Sequence, residues 1–241
     1  QTLGKEREAK LDKLRNNIVQ AIPHELRTPL TGILGCAEYL MEVEDIPIES
    51  IHETAEIIMR SGQRLHKIVE NFVVYSQLEV AFSDEERIAK MRAEYIAYPD
   101  TIINTVAKSI ASQYERTDDL AMTGQEATIG ISHDNFQKII CEVLENAFSF
   151  SQQGSTITID SISNNDTYTV TVRDYGRGMT HEDIENIAAY NQFNREFYEQ
   201  QGLGLGLIIA KRLTEIHAGH FGVESEPDAG TTVTMSFPIM Q

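Results

Sequence analysis

The chain has 241 residues, 41% of them hydrophobic, which is enough for a real core and leaves room for two domains. Its 37 Asp and Glu outnumber its 20 Lys and Arg, for a formal net charge of −17. That balance argues against binding nucleic acid or an anionic membrane surface through bulk charge, but it permits a local phosphate site made of backbone N–H groups and a metal. Cys36 and Cys141 have no metal-ligand spacing and read as reduced core residues, in keeping with a cytoplasmic protein. No apolar run approaches the roughly 18 residues of a membrane-spanning helix, so no direct membrane insertion by this chain is expected. It begins at Gln1, as a portion of a longer, membrane-anchored protein would.

In chain order, residues from about Lys5 to Met41 read as one long helix. Leu11, Leu14, Ile18, Ile22, Leu26, Leu30, Ile33, Ala37 and Leu40 recur at spacings of three and four. The prolines at 23 and 29 are expected to interrupt it. A polar turn with Asp45 and Pro47 leads to a second helix, from near Ile48 to about Leu78, with a heptad-like seam of Ile51, Ala55, Ile58, Gly62, Leu65, Val69 and Phe72. Ile57, Ile68, Val73 and Val74 add apolar positions beside the seam. A lone helical hairpin has too little core, and pairing two of them into a dimeric four-helix bundle buries these positions.

Residues 79 to 98 are rich in charge and read as a solvated helical connector. Asp100 is expected to cap a helix from Thr101 to about Gln113. Ala127–Ile131 alternates like a strand, and Asp134 opens a helix reaching about Phe150. Ser155–Asp160 and Tyr168–Arg173 alternate at period two around Asn164-Asn165-Asp166, the pattern of a hairpin. Short helices are expected over Glu182–Ala189 and Gly204–His217, and strands over Phe221–Ser225 and Thr231–Phe237. The whole reads as α+β, with the helical hairpin followed by a two-layer α/β sandwich.

Four motifs carry chemistry. The first is Ile22-Pro23-His24-Glu25-Leu26-Arg27-Thr28-Pro29-Leu30-Thr31. His24 and Thr28 share a helix face. Each flanking proline removes a helical hydrogen bond and crowds a carbonyl, at about 3 kcal/mol apiece, a cost that a plain rod with a surface histidine would not carry. The second is Glu142-Val-Leu-Glu-Asn146, where Glu142 and Asn146 stand at i, i+4 and offer hard oxygen ligands suited to Mg²⁺ with phosphate and water. Alone, the pair is more simply a solvated polar face. The third is Asp174-Tyr-Gly176-Arg-Gly178, a carboxylate at a strand end able to accept from an exocyclic amine such as that of adenine, and otherwise a glycine turn. The fourth is Gly202-Leu-Gly204-Leu-Gly206, whose free N–H groups at a helix start can hold phosphate. It matches neither the P-loop nor the dinucleotide fingerprint.

Together these motifs resemble the H box, N box and two glycine boxes of the sensor histidine kinases of two-component systems. The resemblance runs from about Asn16 onward. It implies three segments: residues 1–80, a dimerisation and phosphoacceptor hairpin; 81–98, the charged connector; and 99–241, an ATP-binding catalytic domain with the fold shared by gyrase, mismatch-repair and heat-shock ATPases. It further implies ATP and Mg²⁺ as ligands and His24 as the phosphoryl acceptor from Mg-ATP. Glu25 would accept a ring proton, Asn146 with Glu142 would face the metal, and Asp174 would face adenine. Gly176, Gly178, Gly202, Gly204 and Gly206 would line the nucleotide, under a lid from about Tyr190 to Gln201. The implied partners are a second copy of the chain and the receiver domain of a response regulator, whose aspartate takes the phosphoryl group. Thr28 matches the family position for dephosphorylating that partner.

The chain departs from the family pattern in three places. Pro23 stands where Ser is usual, and the lid's phenylalanine motif is present only as Phe193 and Phe197. Ser149 replaces a Lys usual three positions after the N-box Asn, a loss of positive charge for which Arg195 or Arg177 could compensate. Two other readings compete: an ATP-hydrolysing machine of the same fold with Glu142 activating water, which leaves the H box unexplained, and a nucleotide-binding scaffold without activity.

Overall fold

The computed structural model describes residues 26–82, 84–189 and 205–240. It forms two compact units, the first running to Gln77 and the second taking up at Leu78.

In the first unit a helix over residues 26–42 (α1) turns back into α2, Ile48–Ala81, through a loop in which Asp45 adopts φ 57°. The helix runs through Pro29 without a break, and the Pro29 ring is buried. The expected interruption is therefore absent at this proline; one missing donor is tolerated where the ring packs. Pro23 lies outside the described residues. The two helices come close at Gly32, where a β-carbon would stand 3.1 Å from Ser61 Oγ. Leu30 and Leu34 on α1, and Ile51, Ile57, Met59, Val69 and Val73 on α2, stay exposed. One hairpin has only one inner face to hide apolar side chains, and this one carries more than that face holds.

The second unit begins with the last turn of α2, where Leu78 and Ala81 are buried. Helix α3, Glu85–Arg92, buries none of its residues and is capped by Asp84, whose carboxylate accepts the N–H groups of Glu86 and Arg87. Helix α4 covers Pro99–Gln113 with proline in its first turn. Asp100 is not its cap. It lies inside the helix, where its side chain accepts from Asn104 and from Ser161. Helix α5 covers His133–Phe150 and is capped by Ser132 rather than opened by Asp134.

One five-stranded sheet completes the unit, in the order β1-β2-β3-β5-β4. These strands are Leu120–Thr123, Ile157–Ser163, Thr167–Asp174, His220–Glu226 and Gly230–Pro238, numbered β1 to β5 in chain order. Only β1 and β2 run parallel. The expected strand at Ala127–Ile131 does not form. Ile129 makes single bridges to Ile96 and Ile239, and the strand that joins the sheet is β1. Ile129 and Ile131 are fully buried without a ladder, so their alternation reports burial and not pairing. The hairpin of β2 and β3 pairs as expected, from Thr158↔Arg173 to Ser163↔Tyr168. Two shorter helices, α6 (His181–Ala189) and α7 (Leu205–Ile216), precede β4.

Tyr168, Val170, Val172 and Asp174 of β3 are buried in alternation, so Asp174 continues the row that the helices cover. Phe136 on α5 meets Phe237 on β5 edge-on at 5.6 Å across that interior. Period two thus carries a carboxylate to the strand's end on the covered face, beside the end of α5.

Candidate functional site

The site is built around the last two turns of α5. Glu142 is 3% exposed, although it is a carboxylate on an amphipathic helix. Its Oε1 lies 2.7 Å from Lys138 Nζ one turn earlier, and this pairing offsets the cost of burying the charge. Asn146 donates from Nδ2 to the Glu142 carbonyl at 2.9 Å, which leaves the carboxamide oxygen as its acceptor end. The start of α7 comes down onto both. A β-carbon at Gly206 would stand 2.3 Å from Glu142 Oε2 and 3.6 Å from Asn146 Nδ2. Glu142, Asn146 and Gly206, 64 positions apart at the extremes of the sequence motifs, are thus in one place.

The end of β3 supplies the next part. Asp174 is 7% exposed and accepts the Gly176 N–H at 2.8 Å. Burial pushes its carboxyl up from the ordinary value, while the N–H groups of Gly176 and Thr231 oppose the shift. The loop that follows is stitched on both sides. The Arg177 N–H donates to the Phe150 carbonyl at 3.2 Å, and the Arg177 carbonyl accepts the Asp228 N–H at 2.8 Å. Gly178 takes φ +64°, and a β-carbon there would stand 1.9 Å from the Glu226 carbonyl oxygen, so only glycine fits. The Arg177 guanidinium lies over the Phe150 ring, 4.3 Å from its centroid. Phe150 is one turn beyond Asn146, so the glycine loop of β3 is fastened to the helix that carries Glu142 and Asn146.

Ser149 is exposed, and its hydroxyl pairs with the Tyr114 hydroxyl at 2.6 Å. Behind it, Arg116 is 5% exposed. It donates to Asp119, to the Phe148 and Ser151 carbonyls that end α5, and to the Ser155 carbonyl. The fork closes the C-terminal end of α5 and ties it to the segment leading into β2. Sequence reading did not single out Arg116. A lone arginine in Tyr-Glu-Arg-Thr-Asp-Asp carries no pattern that announces burial. His217 is structural: it is 1% exposed, with Nδ1 3.1 Å from the Gly130 carbonyl oxygen and Nε2 3.1 Å from Asn135 Nδ2. The pattern fits a neutral ring that donates from Nδ1 and accepts at Nε2. Burial lowers its pKa from 6.5 to about 4.

Of the residues expected in the site, Glu142, Asn146, Asp174, Gly176, Gly178 and Gly206 converge on α5 and its neighbours. Thr28 lies exposed on α1. His24, Glu25, Gly202, Gly204, Arg195 and the lid segment lie outside the described residues. The donor set suits a nucleotide with Mg²⁺: a carboxamide oxygen and a buried carboxylate are hard ligands of the kind Mg²⁺ takes one or two at a time alongside phosphate. The recessed Asp174 is an acceptor for one amine. Among the described residues, no helix is long and apolar enough to cross a membrane.

Comparison with known proteins places this geometry. Residues 14–80 match the model of the His Kinase A (phospho-acceptor) domain, and residues 132–241 match that of the histidine kinase-, DNA gyrase B- and HSP90-like ATPase. The chain is 28% identical over 229 residues to the heme sensor protein HssS of Staphylococcus saprophyticus, an alignment covering 94% of this chain and 47% of that protein. It is 29% identical over 237 residues to the sensor histidine kinase TmoS of Ectopseudomonas mendocina, covering 97% and 24% respectively. The chain therefore spans about half or less of the length of these relatives. Among solved structures, the Acinetobacter baumannii histidine kinase AdeS superposes with a TM-score of 0.65 at 15% identity, covering 90% of this chain and 98% of that one. Full-length ShkA in complex with AMPPNP superposes with a TM-score of 0.52 at 19% identity, covering 95% and 46%.

Proposed function

Since the chain belongs to the two-component sensor histidine kinases and holds both domains of their catalytic core, we propose that it phosphorylates its own His24 from Mg-ATP and passes that group to an aspartate of a response-regulator receiver domain. The observation that carries the nucleotide half of this reading is the meeting of Glu142, Asn146 and Gly206, with Asp174 on a loop tied to the same helix. Three stretches far apart in sequence have no other common reason to present a buried carboxylate, an amide and two glycine backbones together.

In this reading Asp174 accepts the adenine amine and fixes the base, while the glycine backbone at the start of α7 donates to the phosphates. Asn146 and Glu142 would hold Mg²⁺, which when bound neutralises charge developing on the transferred group. His24 acts as a neutral imidazole, the predominant form of an unperturbed histidine near pH 7. One ring nitrogen forms a bond to the γ-phosphorus as the bond to the ADP oxygen breaks, and Glu25 accepts the proton of the other nitrogen. The receiver's carboxylate then takes the phosphoryl group and His24 returns to its starting form. Thr28, exposed on α1 and four positions after His24 in sequence, would position water for the reverse task, removal of phosphate from the receiver. Thr28→Ala is expected to keep autophosphorylation and lose that phosphatase activity; full retention of it removes the role.

The active form in this proposal is a homodimer, supported by the apolar side chains that one hairpin leaves exposed. The three segments are 1–80, 81–98 and 99–241, and the working compartment is the cytoplasm. The deciding experiment is incubation with γ-labelled Mg-ATP beside His24→Gln. Label that is lost in acid, survives base and is absent from the variant establishes the reaction. Steady phosphate release without protein-bound label, dependent on Glu142, overturns it in favour of an ATPase.

A further inference from the structure

We propose that Lys138 is the resident counter-ion of the nucleotide site: it neutralises Glu142 while no metal is bound and yields that carboxylate when Mg-nucleotide enters. The inference rests on the nucleotide site proposed above and assigns it a residue outside its motifs.

The two oxygens of Glu142 face different neighbours. Oε1 lies 2.7 Å from Lys138 Nζ. Oε2 is the atom that a β-carbon at Gly206 would meet at 2.3 Å, so it is turned to the start of α7. One carboxylate thus touches both a cation of its own helix and the glycine backbone assigned to the phosphates. The pair is unequal in exposure, with 3% for the Glu142 side chain and 27% for that of Lys138. The acid is enclosed, while the lysine side chain reaches water.

Helix electrostatics alone does not account for the pair. Lys138 precedes Glu142 by four positions, and lysine before glutamate is the weaker order, because it opposes the helix dipole. The pairing matters because Glu142 is cut off from water, where a carboxylate deprived of its partner is strongly unfavourable. Lys138 supplies that partner at Oε1 and leaves Oε2 turned to α7.

Mg²⁺ takes one or two carboxylates beside phosphate. Lys138 then competes with the ion for one carboxylate, and by linkage each weakens the hold of the other equally. Lysine suits such an exchange. Its ammonium is a compact, strongly hydrated charge on a flexible stem, and it leaves Oε1 for water by side-chain rotation alone. Without Lys138, a metal-free site turns an uncompensated negative charge toward ADP, and metal binding relieves a larger imbalance.

The test measures binding of ADP to the whole chain by calorimetry, once with Mg²⁺ and once in EDTA, with no turnover required. The quantity compared is the ratio of the two affinities. Lys138→Met keeps the length of the side chain and removes its charge. It is expected to raise the ratio about tenfold, mainly by weakening ADP in EDTA. In a Glu142→Gln background the same substitution is expected to leave the ratio within about twofold, because Lys138 acts through that carboxylate. Thermal unfolding gives a second readout: in EDTA Lys138→Met melts below the unmodified chain, and Mg-ADP recovers more of its melting temperature. Lys138→Gln still donates a hydrogen bond to Oε1 without charge, and it replaces Lys138→Met if that variant does not fold, with a change in the same direction. Equal loss of ADP affinity with and without Mg²⁺ would make Lys138 a phosphate contact or a purely structural residue and overturn the proposal. An unchanged or lowered ratio overturns it too, as does a tenfold change that persists in Glu142→Gln. Failure of the unmodified chain to bind ADP under either condition is a different result, which removes the nucleotide site itself.

Discussion

Gly206 and Glu142 approach so closely that a β-carbon on residue 206 would stand 2.3 Å from Glu142 Oε2. The carboxylate cannot retreat easily: it is 3% exposed and paired with Lys138. Gly206→Ala gains up to about 1 kcal/mol of helix propensity in α7. It loses about 1–3 kcal/mol to overpacking. Overpacking wins because the obstructing atom is pinned, and the net expectation is a loss of about 1 kcal/mol in stability. ADP affinity is expected to fall about tenfold, since Glu142 and Asn146 are pushed aside together. Chemical denaturation and calorimetry check the two numbers. A more stable protein with intact affinity would show that the carboxylate yields freely and that the meeting of α5 and α7 does not shape the site.

Arg116 closes α5 by donating to the carbonyls of Phe148 and Ser151, to Ser155 and to Asp119. Replacing it by Ala leaves several buried acceptors and a carboxylate without their donor, a loss on the order of 3 kcal/mol. Lys keeps the charge but not the fork, and is expected to recover less than half of it. The measurement is the denaturation midpoint of the three proteins. Equivalent stability of the Ala and wild-type chains would mean that water replaces the fork at no cost.

Much of this was legible in sequence, for reasons that differ by element. The alternation in Tyr168-Thr-Val170-Thr-Val172 placed Asp174 on the covered face of β3, because a period of two survives to the strand's last residue. The i, i+4 spacing put Glu142 and Asn146 on one face of α5. Spacing alone did not show that this face is buried under Gly206, which depends on a segment more than fifty residues later. Strand β1 was missed because Leu-Ala-Met-Thr is only four residues long and half-buried, too short for any period to emerge. The partners of Arg116 and His217 were not legible in sequence, because each draws them from distant loops, Ser155 in one case and Gly130 in the other.

Ile57, 41% exposed on α2, tests the dimer. A charge there costs a lone hairpin little, since the position already faces water. In a four-helix bundle the same charge is buried against a partner without a counter-ion, a penalty of several kcal/mol. Ile57→Glu is therefore expected to convert a dimer to monomer in sedimentation equilibrium while the helical content stays. A dimer of undiminished affinity would place the contact surface elsewhere.

His217 makes stability depend on pH in a window of its own. Its pKa is 6.5 in the ordinary case and about 4 in the fold, lowered first by burial. The Gly130 carbonyl opposes that shift, and the charge of Arg92 adds to it. Between those values the unfolded chain binds a proton that the folded chain refuses, so stability falls as pH drops through the window. Above pH 6.5 both states are neutral and the full contribution is present; below about 4 both are charged and no more is lost. The difference amounts to about 3 kcal/mol across the window. Carboxylates titrate in the same range, so the useful quantity is the gap between the wild type and His217→Gln. The variant, lacking the ring that bridges Gly130 and Asn135, is expected to be less stable at pH 7. Approaching pH 4 the gap closes, because the wild type then bears the cost of a buried imidazolium or of its exposure. Parallel stability curves for the two proteins from pH 7 to pH 4 would mean that His217 is protonated inside the fold at no cost, and that the Asn135 amide turns to accept from it.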